Sequence, residues 1–506
     1  MKNRVLGLFA LVMAVVLLAT GLAFAEGDLE IDAGIATEGY EGLDESASID
    51  LDGAALVSDD PAEAESTEAN ASEVPINKTN FPAADFRNYV KANFDKDGNG
   101  KLSKAEAEAV REISLRTAEE MDAGVNEKNC PNMKGIERFP NLETLLCVAC
   151  NIKTLDVSKN TKLKTLECLF NQLTALDVSK NTELEDLLCY QNPLKKLDVS
   201  KNTELVNLWC WGNGLKKLDV TKNTKLVVLD CGDNELSSLD ISKNTKLQEL
   251  YCANNKLKTL DLRKQKKLRL LYCARNNLKT LDVSKNTELV ELWCQQCKLT
   301  ALDVSKNTKL AEMSISMNQV KALDVSRNTR LKVLYCNRNA LKTLDTSKNK
   351  NLADLNCGGN KLTKLDVSRN TKLYRLWVFE NKLTALDVSK NTALKELACW
   401  DNQLTALNTS KNKKLVILGC ENNRLTGLDV SKNTKLEFLL TYGNSIASID
   451  IGKCPKLQKA LKELKKKTTK KVVEWGVEGE YGWDPHVGID RTTKLTAGSK
   501  VLYPGK

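Results

Sequence analysis

The sequence predicts a solenoid of the α/β class, built on one long parallel sheet, and three observations carry that prediction. Cysteines stand at Cys147, Cys168, Cys189, Cys210, Cys231, Cys252, Cys273, Cys294, Cys336, Cys357, Cys399 and Cys420, every interval being 21 residues or a multiple of 21. Around them the chain repeats L-x-x-L-x-C-x-x-N-x-L-x-x-L-D-V-S-K-N-T-x. Ile315 and Val378 fill the missing cysteine slots, and Thr441 closes a run of fifteen units without insertion. The composition, 42% hydrophobic and 28% charged with 5% aromatic residues, excludes a wholly disordered chain and a multi-span membrane protein. The single histidine, His486, leaves no material for a multi-histidine metal site or for the commonest general-base chemistry.

At the N-terminus, Lys2 and Arg4 precede an apolar run from Val5 to Leu22 and a small-x-small end, Ala23-Phe24-Ala25. This predicts a secretory signal peptide over 1–25 and an exported protein, with no later apolar segment of membrane-spanning length. Residues 26–77 hold 16 Asp and Glu and no Lys or Arg, which predicts an acidic disordered linker. The chain is +9 overall; with +2 in the first 25 residues and −16 in the linker, the body from Lys78 onward carries +23. Such a body either favours anionic surfaces or is simply kept soluble by its charge.

Residues 78–125 read as a helical cap. Phe86, Val90 and Phe94 are spaced by four, as one buried helical face requires. Then comes Asp95-Lys96-Asp97-Gly98-Asn99-Gly100-Lys101-Leu102-Ser103-Lys104-Ala105-Glu106, the pattern of an EF-hand calcium loop with glycine where the chain must turn sharply. Asp95, Asp97 and Asn99 would bind through their side chains and Lys101 through its backbone carbonyl. Ser103 would act through a water and Glu106 through both carboxylate oxygens. A second helix is expected from Lys104 to about Ile113. Because only one such loop is present, a structural ion is expected rather than a switch.

Residues 126–457 hold the repeats. Leucines at these spacings, with asparagine three residues after the central slot, form the leucine-rich-repeat signature. Each L-x-C segment is a short strand with Leu and Cys facing inward, and copies stacked ~4.8 Å apart give a sheet roughly 70 Å long. No unit buries its apolar side alone, so stability comes from neighbours. The expected fold is a leucine-rich-repeat horseshoe with a parallel concave sheet, an N-terminal EF-hand-like cap and a small C-terminal β appendage. The cysteine-bearing unit followed by L-D-V-S-x-N-T resembles the cysteine-ladder branch of the bacterial internalins, over about residues 126–457 and into the helical cap. That resemblance implies recognition of a host or cell surface. The chain departs from those relatives in keeping the full calcium ligand set and in showing no L-P-x-T-G sorting motif, so surface association without a covalent wall anchor is expected.

The twelve ladder cysteines should stack as buried free thiols, since in-register parallel strands suit disulfide geometry poorly. Cys147/Cys150 and Cys294/Cys297 form C-x-x-C pairs, but Cys150 and Cys297 occupy the repeat's asparagine slot, so two coinciding ladders explain them without a metal. Cys130 and Cys454 lie outside the ladder near its two ends, free or paired. The recurring asparagines (Asn171, Asn192, Asn213) should bond neighbouring backbone, and the L-D-V-S aspartates (Asp156, Asp177, Asp198) should make Asx turns. The lysines of S-K-N-T set a basic row on the outer turn.

Counted from the ladder slot, positions −3, −1 and +1 are expected to face outward on the concave side. At −1 stand Trp209, Tyr251, Tyr272, Trp293, Tyr335 and Trp377; at +1 stand Tyr190, Trp211, Phe379, Trp400 and Tyr442; Phe438 occupies a −3. These 45 positions hold 12 of the 26 aromatic residues, where chance placement gives about two. Exposed Trp and Tyr in an array mark a binding surface, the alternative being rings that stack across strands and stiffen the sheet. Glu249, Glu291, Glu312, Asp354, Arg375 and Glu396 are interleaved with them.

Residues 458–506 close the solenoid. A Lys-rich amphipathic helix is expected over 456–471 and a small β appendage over 472–506. The functional expectation is a secreted, non-enzymatic recognition protein whose concave face binds a protein or glycan partner and not nucleic acid. A structural envelope component, held to anionic wall polymers by its basic outer surface, is the alternative.

Overall fold

The computed structural model describes residues 73–115, 130–459, 487–489 and 492–503. The predicted signal peptide, the acidic linker up to residue 72, the capping helix beyond residue 459 and His486 lie outside the described residues.

The cap begins earlier than expected. Val74–Pro75 (β1) pairs antiparallel with Lys101–Leu102 (β2), so residues 73–77 belong to the folded unit rather than to the linker. Helix α1 (Ala84–Phe94) buries Phe86 and Val90, and Phe94 packs against Phe139 with ring centroids 5.4 Å apart. Helix α2 (Lys104–Ala109) starts on a capping box, in which the Ser103 hydroxyl accepts from the Glu106 N–H and the Glu106 carboxylate takes the Ser103 N–H. It stops four residues short of the expected end. Val110 is already extended, and Glu112–Ser114 (β3), with Ile113 fully buried, joins the main sheet instead.

Fifteen three-residue strands follow at 21-residue intervals, from β4 (Thr144–Leu146) to β18 (Phe438–Leu440). Each pairs in parallel with the next, so that Leu145 faces Leu166 and Leu271 faces Leu292. β3 precedes β4 in the same sheet. The last outer turn forms β19 (Ser448–Asp450), while β20 (Val487–Gly488) takes the place beside β18. β19 pairs with β21 (Lys494–Ala497), itself antiparallel to β22 (Lys500–Tyr503), which is the expected appendage.

Each strand spans only positions −3 to −1. The middle residue is fully buried, both flanks are half-buried in eleven of the fifteen strands, and the cysteine slot follows where the chain already bends. All sixteen cysteines are buried, and burial lifts the ladder thiols above their usual range, Cys189 and Cys357 to about 12. They pack as small hydrophobes.

Two asparagine ladders close the backbone. At +3, the Asn276 amide donates to the carbonyls of Cys252, Cys273 and Ala274 at 2.9, 3.0 and 3.2 Å, and its oxygen accepts the Leu257 N–H at 3.0 Å. This clamp holds a strained turn: the +2 residue is left-handed at every rung, from Ala149 (φ 50°) and Phe170 (φ 53°) to Asn422 (φ 50°) and Gly443 (φ 70°). The second ladder is the asparagine of S-K-N-T. Asn307 is fully buried and donates to the carbonyls of Val283 and Asn286 at 2.9 and 2.8 Å. Cys454, outside the cysteine ladder, fills this second ladder's terminal slot, its thiol 3.5 Å from the Asn433 carbonyl. The outer-turn aspartates make the expected Asx turns, Asp282 accepting the Ser284 N–H at 2.9 Å.

Candidate interaction face and calcium loop

Because each strand ends at −1, the alternation that puts −3 and −1 outward does not extend to +1. The −1 rings of Trp209, Tyr251, Tyr272, Trp293, Tyr335 and Trp377 are half-buried and reach solvent. At +1 the expectation of exposure is corrected for three residues: Tyr190 is 1% exposed, Phe379 3% and Trp211 7%. They are covered by each other and by their neighbours. Tyr190 stacks on Trp211 at 4.9 Å with Phe170 edge-on at 5.3 Å, and Phe379 stacks on Trp400 at 4.4 Å and 5°. Gly358 makes room for the second stack, since a Cβ there would lie 2.6 Å from the Phe379 ring. Trp400 and Tyr442 stay half-exposed. Of the two expected aromatic clusters, Tyr190/Trp209/Trp211 is brought together. In the other, Phe379 and Trp400 stack on each other, while Trp377 lies under the Arg375 guanidinium, 5.2 Å from its ring centroid.

Arg375 is the centre of a polar network. It donates to Asp354 and Glu396 at 2.9 Å each and lies 5.7 Å from the Tyr374 ring. Tyr335 donates to the same Asp354 oxygen at 2.7 Å and Tyr374 at 3.4 Å. Asp354 is 1% exposed, and burial raises its carboxyl despite Arg375 and the phenols, which lower it. Tyr374 and Phe170 are the large hydrophobic side chains most open to solvent among the described residues, and neither position was singled out from sequence. Glu421, at +1 beside Trp400, is buried with one oxygen unpartnered, and burial pushes it up to about 7.

The loop from Asp95 to Glu106 turns sharply and gathers oxygens. Gly98 and Gly100 are left-handed (φ 70° and 78°), and Asp95, Asp97 and Glu106 bring carboxylate oxygens within 4.8 Å of one another. The Gly100 N–H reaches Asp95 at 3.0 Å, the Asn99 N–H reaches Asp97 at 3.0 Å, and the Lys101 N–H reaches Asn99 at 2.7 Å. Lys101 turns its ammonium away to Glu73 at 2.9 Å. Burial works against ionisation of Glu106, but the N–H groups of Ser103 and Lys96 and the Ser103 hydroxyl outweigh it and hold the carboxyl below its usual range. The second Asp95 oxygen is buried with no hydrogen-bond partner. A set of hard oxygens with one orphan fits a calcium ion.

The sequence signature of leucine-rich repeats, two copies, matches residues 224–264. Over a much longer stretch, the functional domain of InlJ from Listeria monocytogenes, described as including a cysteine ladder, is 33% identical with a TM-score of 0.68, over 75% of this chain and 82% of that one. This chain belongs to the leucine-rich-repeat family. The leucine-rich-repeat protein of Leptospira interrogans shares the fold at 23% identity and a TM-score of 0.55, over 63% of this chain and 94% of that one. No curated protein matches. No helix among the described residues is long and apolar enough to cross a membrane.

Proposed function

We propose that this leucine-rich-repeat protein recognises a protein or glycan partner through the outward face of its sheet, as a secreted or surface-associated molecule. One observation carries the reading: half-exposed rings and charged groups are collected on the −3 and −1 columns, which no core fills. Trp377, Arg375 and Tyr374 form an anchor of the kind that dominates binding energy, a large ring and a guanidinium held rigid by Asp354 and Glu396. Tyr190, Trp211 and Phe379 support that surface from beneath. Replacing Trp377 and Trp400 with alanine should lower retention of the partner captured from cell-surface extracts at least tenfold while leaving the melting transition cooperative. Unchanged retention by that variant, with raised salt stripping the protein from cells, would move attachment to the basic outer turns and refute the reading.

We propose also that Asp95, Asp97, Asn99, Ser103, Glu106 and the Lys101 carbonyl hold one structural calcium ion, supported by the clustered carboxylates and the unpartnered Asp95 oxygen. Calcium at about a hundred times its dissociation constant should add roughly 2.7 kcal/mol to stability. Isothermal titration with Asp97→Ala as control measures this. Equal heats for the two proteins would refute it.

A further inference from the structure

The sheet face reverses the sign of the molecule. The body from Lys78 carries +23, yet from β8 (Val228–Asp230) to β16 (Glu396–Ala398) the −3 and −1 slots carry six acids, Asp230, Glu249, Glu291, Glu312, Asp354 and Glu396, against one cation, Arg375. Arg375 is already committed to Asp354 and Glu396. Among the described residues, none of the other four acids forms an ion pair. Three of them have phenol or backbone partners: Tyr251 donates to Glu249 at 3.1 Å, Tyr272 donates to Glu291, and the Gly232 N–H reaches Asp230 at 3.0 Å. A phenol orients a carboxylate without neutralising it. Arg269 and Lys332 sit one position further out, exposed, and act on Glu249 and Glu312 only through space. Burial holds both carboxyls above their usual range.

Beside this acid row runs a row of rings. Tyr251 and Tyr272 lie 4.9 Å apart, Tyr272 stacks with Trp293 at 5.8 Å, and Trp293 meets Tyr335 edge-on at 6.0 Å across the rung that carries buried Ser314. Negative ring faces next to carboxylates that make no ion pair suit an ammonium or guanidinium, which both surfaces attract. A neutral sugar answers the rings but leaves the charge uncompensated, and an anionic polymer is repelled.

We propose that the partner of this face is a cationic stretch of polypeptide, its lysines or arginines meeting Glu249, Glu291 and Glu312 between the rings of Tyr272, Trp293 and Tyr335. This rests on the face-binding reading above. The test uses the whole protein and three probes: a labelled peptide of about twelve alternating Lys and Gly residues, long enough to cross several strands ~4.8 Å apart, its Glu–Gly counterpart, and a neutral oligosaccharide. The Lys peptide alone should bind, perturb tryptophan fluorescence, weaken with salt, and lose at least tenfold in affinity in the near-isosteric variant Glu291→Gln/Glu312→Gln. Equal binding by that variant would place the peptide on the acidic linker and overturn the proposal. Binding of the oligosaccharide or the Glu peptide instead, lost in Trp377→Ala/Trp400→Ala, would overturn the cationic partner but leave the face-binding reading standing. Failure of all three probes to engage the face, together with unchanged partner retention by the tryptophan variant, would remove both.

Discussion

The two edges of one rung follow opposite rules. On the turn side, position +3 and the S-K-N-T asparagine keep nearly the same residue through fifteen rungs, and each amide bonds carbonyls 21 or 24 residues earlier. On the sheet face, −3 and −1 change at almost every rung, from Glu291 and Trp293 to Glu312 and Ser314. The difference teaches where each burden lies. A buried amide that loses its partner carbonyls costs the fold, while an outward side chain carries no such cost and is free to vary.

The comparison breaks if the two classes of residue are equally costly to change. Asn307→Ala removes two bonds to buried carbonyls and should lose about 3 kcal/mol by urea unfolding, whereas Glu291→Gln on the neighbouring strand should stay within about 0.5 kcal/mol. Glu421 sharpens the rule as an outward slot that turned inward. Its carboxyl is raised from 4.5 to about 7 in the fold, so its contribution is full below pH 4.5 and is lost as pH rises to about 7. Glu421→Gln should therefore flatten the pH dependence of unfolding and gain on the order of 2 kcal/mol at pH 8, with little change at pH 4. A smaller test lies within the ladder itself. The side-chain oxygen of Asn307 is buried without a partner, but that of Asn370 accepts the Thr346 hydroxyl at 2.8 Å, and that of Asn433 accepts the Thr409 hydroxyl at the same distance. Val283 occupies the corresponding slot for Asn307, so Val283→Thr should stabilise by about 1 kcal/mol in the same assay. The smallest effect belongs to the outer turn, where Asp282→Ala gives up an exposed Asx bond for about 0.5 kcal/mol or less.

Periodicity explains what could be read in advance. Strand positions, the cysteine ladder and the parallel register were legible because fifteen copies average out the noise of any one. β1 and β3 were not, since each is two or three residues long and has no copy. The second asparagine ladder was hidden in plain repetition: an asparagine beside Lys and Thr looks like a solvated turn, and only the inward bend of the chain buries it. Three of the five +1 rings turned inward for a geometric reason. Alternation holds inside a strand, and Tyr190 and Trp211 lie beyond its end, where the backbone folds their rings flat against each other. The loop from Asp95 to Glu106 was readable residue by residue because its glycines and oxygens are fixed by a turn, not by packing.

One feature reaches beyond equilibrium stability. Because the ladder hydrogen bonds reach back no more than 24 residues, they tie each rung only to its immediate neighbours. Pulled from its ends, such a molecule should not rupture as a whole. It should pay out in steps of one 21-residue rung, each freeing about 70 Å of extended chain where the folded rung held ~4.8 Å. With that construction, the proposed binding face would also sit on an extensible tether, one that lengthens under load before it lets go.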